Sequence, residues 1–82
     1  MMIVTVKMSG LIAKLVPGSA NGVEIGLADG STVTSLMAKL GLPSSETYLV
    51  IANDTTVPKD KRANHKLSNG DRVAIVPPLK GG

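Results

Sequence analysis

From Met2 to Ser9 the even positions Met2, Val4, Val6 and Met8 are apolar, while Thr5, Lys7 and Ser9 are polar and Ile3 is the one break in the alternation. A period of two sends successive side chains to opposite faces of a strand, so the pattern predicts a strand with one face on a core. Gly10 to Asn21, with Pro17-Gly18-Ser19 inside it, reads as a loop or turn between strands. Val23, Ile25 and Leu27 then alternate with Glu24, Gly26 and Ala28, which predicts a second strand paired with the first as a hairpin and closed by Asp29-Gly30.

After that turn the period changes. Val33, Leu36, Met37 and Leu40 fall at i, i+3, i+4 and i+7, one stripe of an amphipathic helix. Ser31, Thr32 or Thr34 can cap its first amides, Gly41 suits the left-handed position after its last turn, and Pro43 prevents continuation. Tyr48 to Ala52 is a continuous apolar run and reads as a third strand; Asn53-Asp54 turns the chain, Thr55 to Val57 is a short fourth strand, and Pro58 ends it. Lys59 to Lys66 looks irregular, Leu67 is an anchor for the core, Asn69-Gly70-Asp71 is a turn that Asp71 fixes, and Val73 and Ile75 point inward from a last strand. Hairpins lie side by side and a helical crossover returns the chain parallel. The order therefore predicts an α+β fold: a mixed sheet of four or five strands, one helix packed on one face, and the first and last strands adjacent at its centre.

Composition narrows the options. At 82 residues the chain is one domain near the lower size limit for an unstapled core, and with no cysteine it has neither disulfides nor thiolate chemistry. The apolar share is 43%, yet Tyr48 is the sole aromatic residue, so the core must be aliphatic. No apolar run has the length of a membrane span and no leader pattern opens the chain, so the expectation is a cytoplasmic protein without a membrane partner. The net charge of +3 is mild. Its densest part, Lys59, Lys61, Arg62, His65 and Lys66, contains no aromatic residue to stack on bases, which favours a solvated loop over nucleic-acid binding.

Single residues point to no internal active site. His65 has no second ligand at metal spacing, Ser44-Ser45-Glu46 has no accompanying base, Met8 and Met37 lie on inward stripes, and the glycines lack phosphate-loop spacing. What remains is the end, Pro77-Pro78-Leu79-Lys80-Gly81-Gly82. Two glycines without Cβ atoms can thread a slot too narrow for other residues and deliver the Gly82 carboxylate to a partner's active site. Chain ends are also commonly small and frayed, so the diglycine takes its meaning from context.

That context is a resemblance. Asn69-Gly70-Asp71-Arg72-Val73-Ala74-Ile75-Val76 running into Pro77-Pro78-Leu79-Lys80-Gly81-Gly82, with the helix stripe from Thr32-Val33 to Gly41, resembles the ubiquitin-like β-grasp sulfur carriers, above all the small subunit of molybdopterin synthase. The resemblance implies a β-grasp domain over residues 1–76 and an extended, flexible tail over 77–82. It implies that an E1-like enzyme uses ATP to adenylate the Gly82 carboxylate, that a sulfur donor converts it to a thiocarboxylate, and that the tail then enters a larger synthase subunit and gives its sulfur to a pterin precursor. No cofactor is bound by the carrier itself. Pro77 and Pro78 favour an extended conformation, and at roughly 3.1 Å per residue the tail reaches about 18 Å. Leu79 and Lys80 are handles for the partner, and Gly81 and Gly82 the part that must be thin.

Relatives of this kind carry aromatic residues in the first strand and before Pro-Pro, forming an apolar docking patch; here the outward positions are Lys7 and Val76, a weaker patch. Three other readings stay open: a protein modifier forming isopeptide bonds through Gly82, a sulfur carrier for thiamine thiazole synthesis, and a non-reactive β-grasp interaction domain, since fold does not fix function.

Overall fold

The alternating N-terminal segment forms β1 (Met2–Met8), and all four of its even positions are buried in this computed structural model, which describes residues 1–42 and 48–77. The remaining elements are a 3₁₀ helix over Gly10–Lys14, β2 (Val23–Leu27), α1 (Val33–Lys39), β3 (Leu49–Ala52), β4 (Thr55–Thr56), a second 3₁₀ helix over Lys59–Lys61, and β5 (Arg72–Val76). The strands make one five-stranded sheet in the order β2-β1-β5-β3-β4. β1 and β5 pair in parallel with Val6 opposite Val73, whereas β1–β2, β3–β5 and β3–β4 are antiparallel. The expected mixed sheet, with first and last strands side by side, is what the chain builds.

α1 supplies Val33, Leu36 and Met37, each at most 1% exposed, to the same buried cluster as Val4, Val6, Val50 and Ile75. Thr32 is the N-cap: its Oγ1 accepts from the Ser35 amide at 3.2 Å. At the other end Gly41 takes φ +79, and the amides of Gly41 and Leu42 donate to the carbonyls of Ala38 and Met37 at 3.1 and 2.9 Å. This pair of bonds is the Schellman closure, with Leu42 folded back into the core. Pro43 and the Ser44-Ser45-Glu46 segment lie outside the described residues.

Two segments differ from the sequence reading. The first is Gly10 to Asn21, which contains a 3₁₀ helix and contributes Ile12 to the core. Ser19 within it is fully buried: its hydroxyl donates to the Ala13 carbonyl at 3.1 Å, and its own carbonyl accepts from Met8 N at 2.8 Å, which fastens the loop to the end of β1.

The second is the basic stretch, which is not a solvated loop throughout. Arg62 is 4% exposed and its guanidinium donates to the Tyr48 carbonyl; burial pushes that guanidinium below its ordinary pKa. The carbonyls of His65 and Arg62 accept from the amides of Val33 and Thr34 at 3.0 and 3.3 Å, and Leu67 N donates to Ser31 O at 2.8 Å. Helix starts leave amides without intrahelical acceptors, and here the basic segment supplies them. Periodicity missed this because the bonds run through backbone carbonyls, which any residue carries.

The β3–β4 turn places both Asn53 and Asp54 in the left-handed region, at φ +48 and +70, the two-residue hairpin geometry that Asn and Asp tolerate. Asn53 Nδ2 also donates to Asp71 Oδ1 and Arg72 N donates to Asn53 Oδ1, both at 2.8 Å. Asp71 Oδ2 accepts from Ser68 N at 2.8 Å, so Asp71 does fix the last turn, as its place in Asn69-Gly70-Asp71 led us to expect.

Candidate functional site

β5 lies in the middle of the sheet and carries the chain to Pro77. It is held on both sides, by β1 through the register Met8–Ile75 and by β3 through Leu49–Val76. One further bond, Ser9 N to Ile75 O at 3.2 Å, continues the β1 contact past the strand end. Pro77 follows as a half-buried residue beside Gly10. The fold thus supplies a rigid root for whatever follows. The residues singled out beyond that root, Pro78, Leu79, Lys80, Gly81 and Gly82, lie outside the described residues.

Lys7 and Val76, the other two expected partner contacts, are both on the face of the sheet opposite α1, because their strand neighbours Val6, Met8 and Ile75 are the buried ones. They do not form a pair. Lys7 is opposite Ala74, Ala74 is opposite Ile51, and Val76 is opposite Leu49. Leu49, Ile51, Ala74 and Val76 therefore make an apolar strip next to the end of β5, with Leu49 45% exposed. Beside it stand charges of both signs, Lys7 and Arg72 with Asp54 in the β3–β4 turn; neither Lys7 nor Arg72 has an acidic partner among the described residues. A shallow groove of about 390 Å³ crosses this face, lined by Lys7, Asn21, Ile51, Asn53, Arg72 and Ala74 among others.

The sequence singled out Lys7 and Val76 on this face but not Leu49, Ile51 and Ala74. The continuous apolar run at 48–52 holds two faces at once: Val50 and Ala52 enter the core, Leu49 and Ile51 leave it. An apolar run in a strand that has a helix on one side only is the signal that was available. An apolar centre with a mixed polar rim is the anatomy of a protein-binding surface.

Among the described residues there is no group of three or more His, Cys, Asp or Glu side chains placed to hold a metal ion. His65 shares a second hollow of about 320 Å³ with Thr56, Val57, Pro58, Lys61 and Asn64, which are not among the residues of the apolar strip. No described helix is long and apolar enough to cross a membrane.

Comparison with known proteins agrees with this geometry. The ThiS family model matches residues 11–82. Among solved structures the chain is similar to a putative molybdopterin converting factor subunit 1 from Pyrococcus furiosus, at 19% identity and a TM-score of 0.72 over 96% of this chain and 100% of that one. It is similar to small archaeal modifier protein 1 from Haloferax volcanii, at 14% identity and a TM-score of 0.74 over 96% and 100%. It is also similar to a chain in the complex of subunits 1 and 2 of molybdopterin-converting factor from Helicobacter pylori 26695, at 24% identity and a TM-score of 0.62 over 99% and 100%. No curated protein matches significantly. A single helix laid on one face of a mixed sheet with parallel central strands is the ubiquitin-like β-grasp, and with a family match running from the first 3₁₀ helix to the diglycine, this chain belongs to the ThiS family of ubiquitin-like sulfur carriers.

Proposed function

We propose that this protein carries sulfur on the Gly82 carboxylate for molybdopterin synthesis, acting as the small partner of a larger synthase subunit. An E1-like enzyme joins the carboxylate to the adenylyl group of ATP with loss of pyrophosphate. A sulfur nucleophile then displaces AMP and leaves the thiocarboxylate, which the synthase subunit consumes. The protein contributes no general acid or base to these steps. It contributes a rigid body, a docking face and a thin reactive end.

The observation that carries this reading is the family match, which extends through the diglycine. Three features support it. The chain reaches the tail from the central strand β5, so the root is braced on both sides. The apolar strip of Leu49, Ile51, Ala74 and Val76 lies at that root. Pro77-Pro78 is the feature that favours a molybdopterin-type over a thiamine-type carrier.

The test is the chemical state of the end group. The protein is incubated with the adenylating enzyme of its own host, ATP and a sulfur donor, and its intact mass is measured. Replacement of one oxygen by sulfur at Gly82, followed by loss of that sulfur to a molybdopterin synthase large subunit, is the expected result. Isopeptide-linked diglycine on other proteins, with no thiocarboxylate, overturns it in favour of the modifier, a reading that the likeness in fold to small archaeal modifier protein 1 keeps in play.

A further inference from the structure

β1 and β5 run parallel, so both reach the same end of the sheet, where β5 must continue outward and β1 must turn away. The turn is made at Gly10, with φ +64. Its backbone passes so close to the end of β5 that a Cβ added to it would stand 2.9 Å from Pro77 Cγ and 3.5 Å from Pro77 Cδ. Carbon atoms are comfortable at about 3.5–4.0 Å, so the shorter distance is a collision. The neighbouring ring cannot swing aside as a longer side chain does. A change of ring pucker can shift Cγ by a few tenths of an ångström, but with φ locked at about −65° any larger displacement must move the backbone at Pro77. One residue earlier the bond from Ser9 N to Ile75 O holds the two chains together, which leaves the displacement little room to spread back into the sheet.

We propose that Gly10 is a positioning residue: the notch left by its missing side chain seats the Pro77 ring and so sets the direction in which the chain leaves β5. The inference rests on the carrier reading, because direction matters only if the end must enter another protein's site. Gly10 touches no reacting atom. A side chain at φ +64 also strains the Gly10 backbone itself, and Gly10→Asn reduces that contribution, so the contact with Pro77 can be read apart from docking on the sheet face.

The test uses the full chain and three variants: Gly10→Ala, Pro77→Ala and the double variant. A fourth, Gly10→Asn, adds the same Cβ while tolerating the left-handed backbone better, so loss of folding in Gly10→Ala does not end the test. Two readouts are taken: residual dipolar couplings of the Val76 N–H and of the Cα–Hα bonds of residues 77 and 78, and kcat and KM for pyrophosphate release by the host's adenylating enzyme. Gly10→Ala or Gly10→Asn should change the couplings, leave KM near wild type, and lower kcat roughly ten- to hundredfold, since small misplacements of a reacting group cost that much. Adding Gly10→Ala to Pro77→Ala, where the ring atoms are gone, should lower kcat no further than Pro77→Ala alone. Wild-type kcat in both Gly10 variants, or an equal further loss in the Pro77→Ala background, overturns the proposal. If wild type itself supports no pyrophosphate release, the carrier reading fails; the couplings then still decide whether Gly10 seats Pro77.

Discussion

Asn53 shows how much one short polar side chain can settle. It takes a left-handed turn position, donates to Asp71 and accepts from Arg72 N, so it ties the β3–β4 turn to the start of β5. Asn53→Gly keeps the backbone freedom and loses the side-chain bonds, and should cost about 1 kcal/mol. Asn53→Ala loses both and should cost about 2–3 kcal/mol, read as a lower urea midpoint at unchanged slope. At the far end, Gly82→Ala should leave the melting temperature unchanged and lower adenylation and sulfur transfer steeply; one residue added after Gly82 should do the same by relocating the carboxylate. The turns at Asn53-Asp54 and Asn69-Gly70-Asp71 were readable from residue type, because Asn, Asp and Gly are the residues such backbones favour. The Asn53–Asp71 pairing was not, since it joins positions 18 apart.

Among the elements, α1 was the most legible. Its stripe, its cap among three candidates and its closing glycine follow from local rules that need no tertiary partner. Thr32→Ala should cost about 1 kcal/mol and Leu36→Ala about 2–5 kcal/mol in thermal or urea unfolding, the second because a fully buried side chain leaves a cavity. The segment from Pro58 to Leu67 was the least legible. Its charges suggested water, yet Arg62 is buried and two carbonyls finish the helix start. An arginine stem packs like an apolar chain when its guanidinium has an acceptor, here the Tyr48 carbonyl, and composition cannot report that acceptor. Ser19 teaches the same lesson within the Gly10–Asn21 segment: a serine in a turn-rich stretch proves to be a buried fastener.

At the scale of the molecule, the helix covers one face of the sheet, and the apolar strip lies on the other. Leu49→Glu should hold the melting temperature close to wild type, because Leu49 is half in water already, and should raise KM for the adenylating enzyme or weaken binding to the larger subunit about tenfold; unchanged KM and unchanged binding would remove the face from the docking surface. Strand alternation, helix stripe, turns and the diglycine are all local, so the order of elements, the sheet's central pairing and the candidate reactive end could be read along the chain. Which half of the Tyr48–Ala52 run faces outward, where the basic segment docks, and how closely Gly10 approaches Pro77 depend on contacts between residues far apart in sequence. Only the folded packing of sheet, helix and loops brings those residues together, and with them the surface around the end of β5.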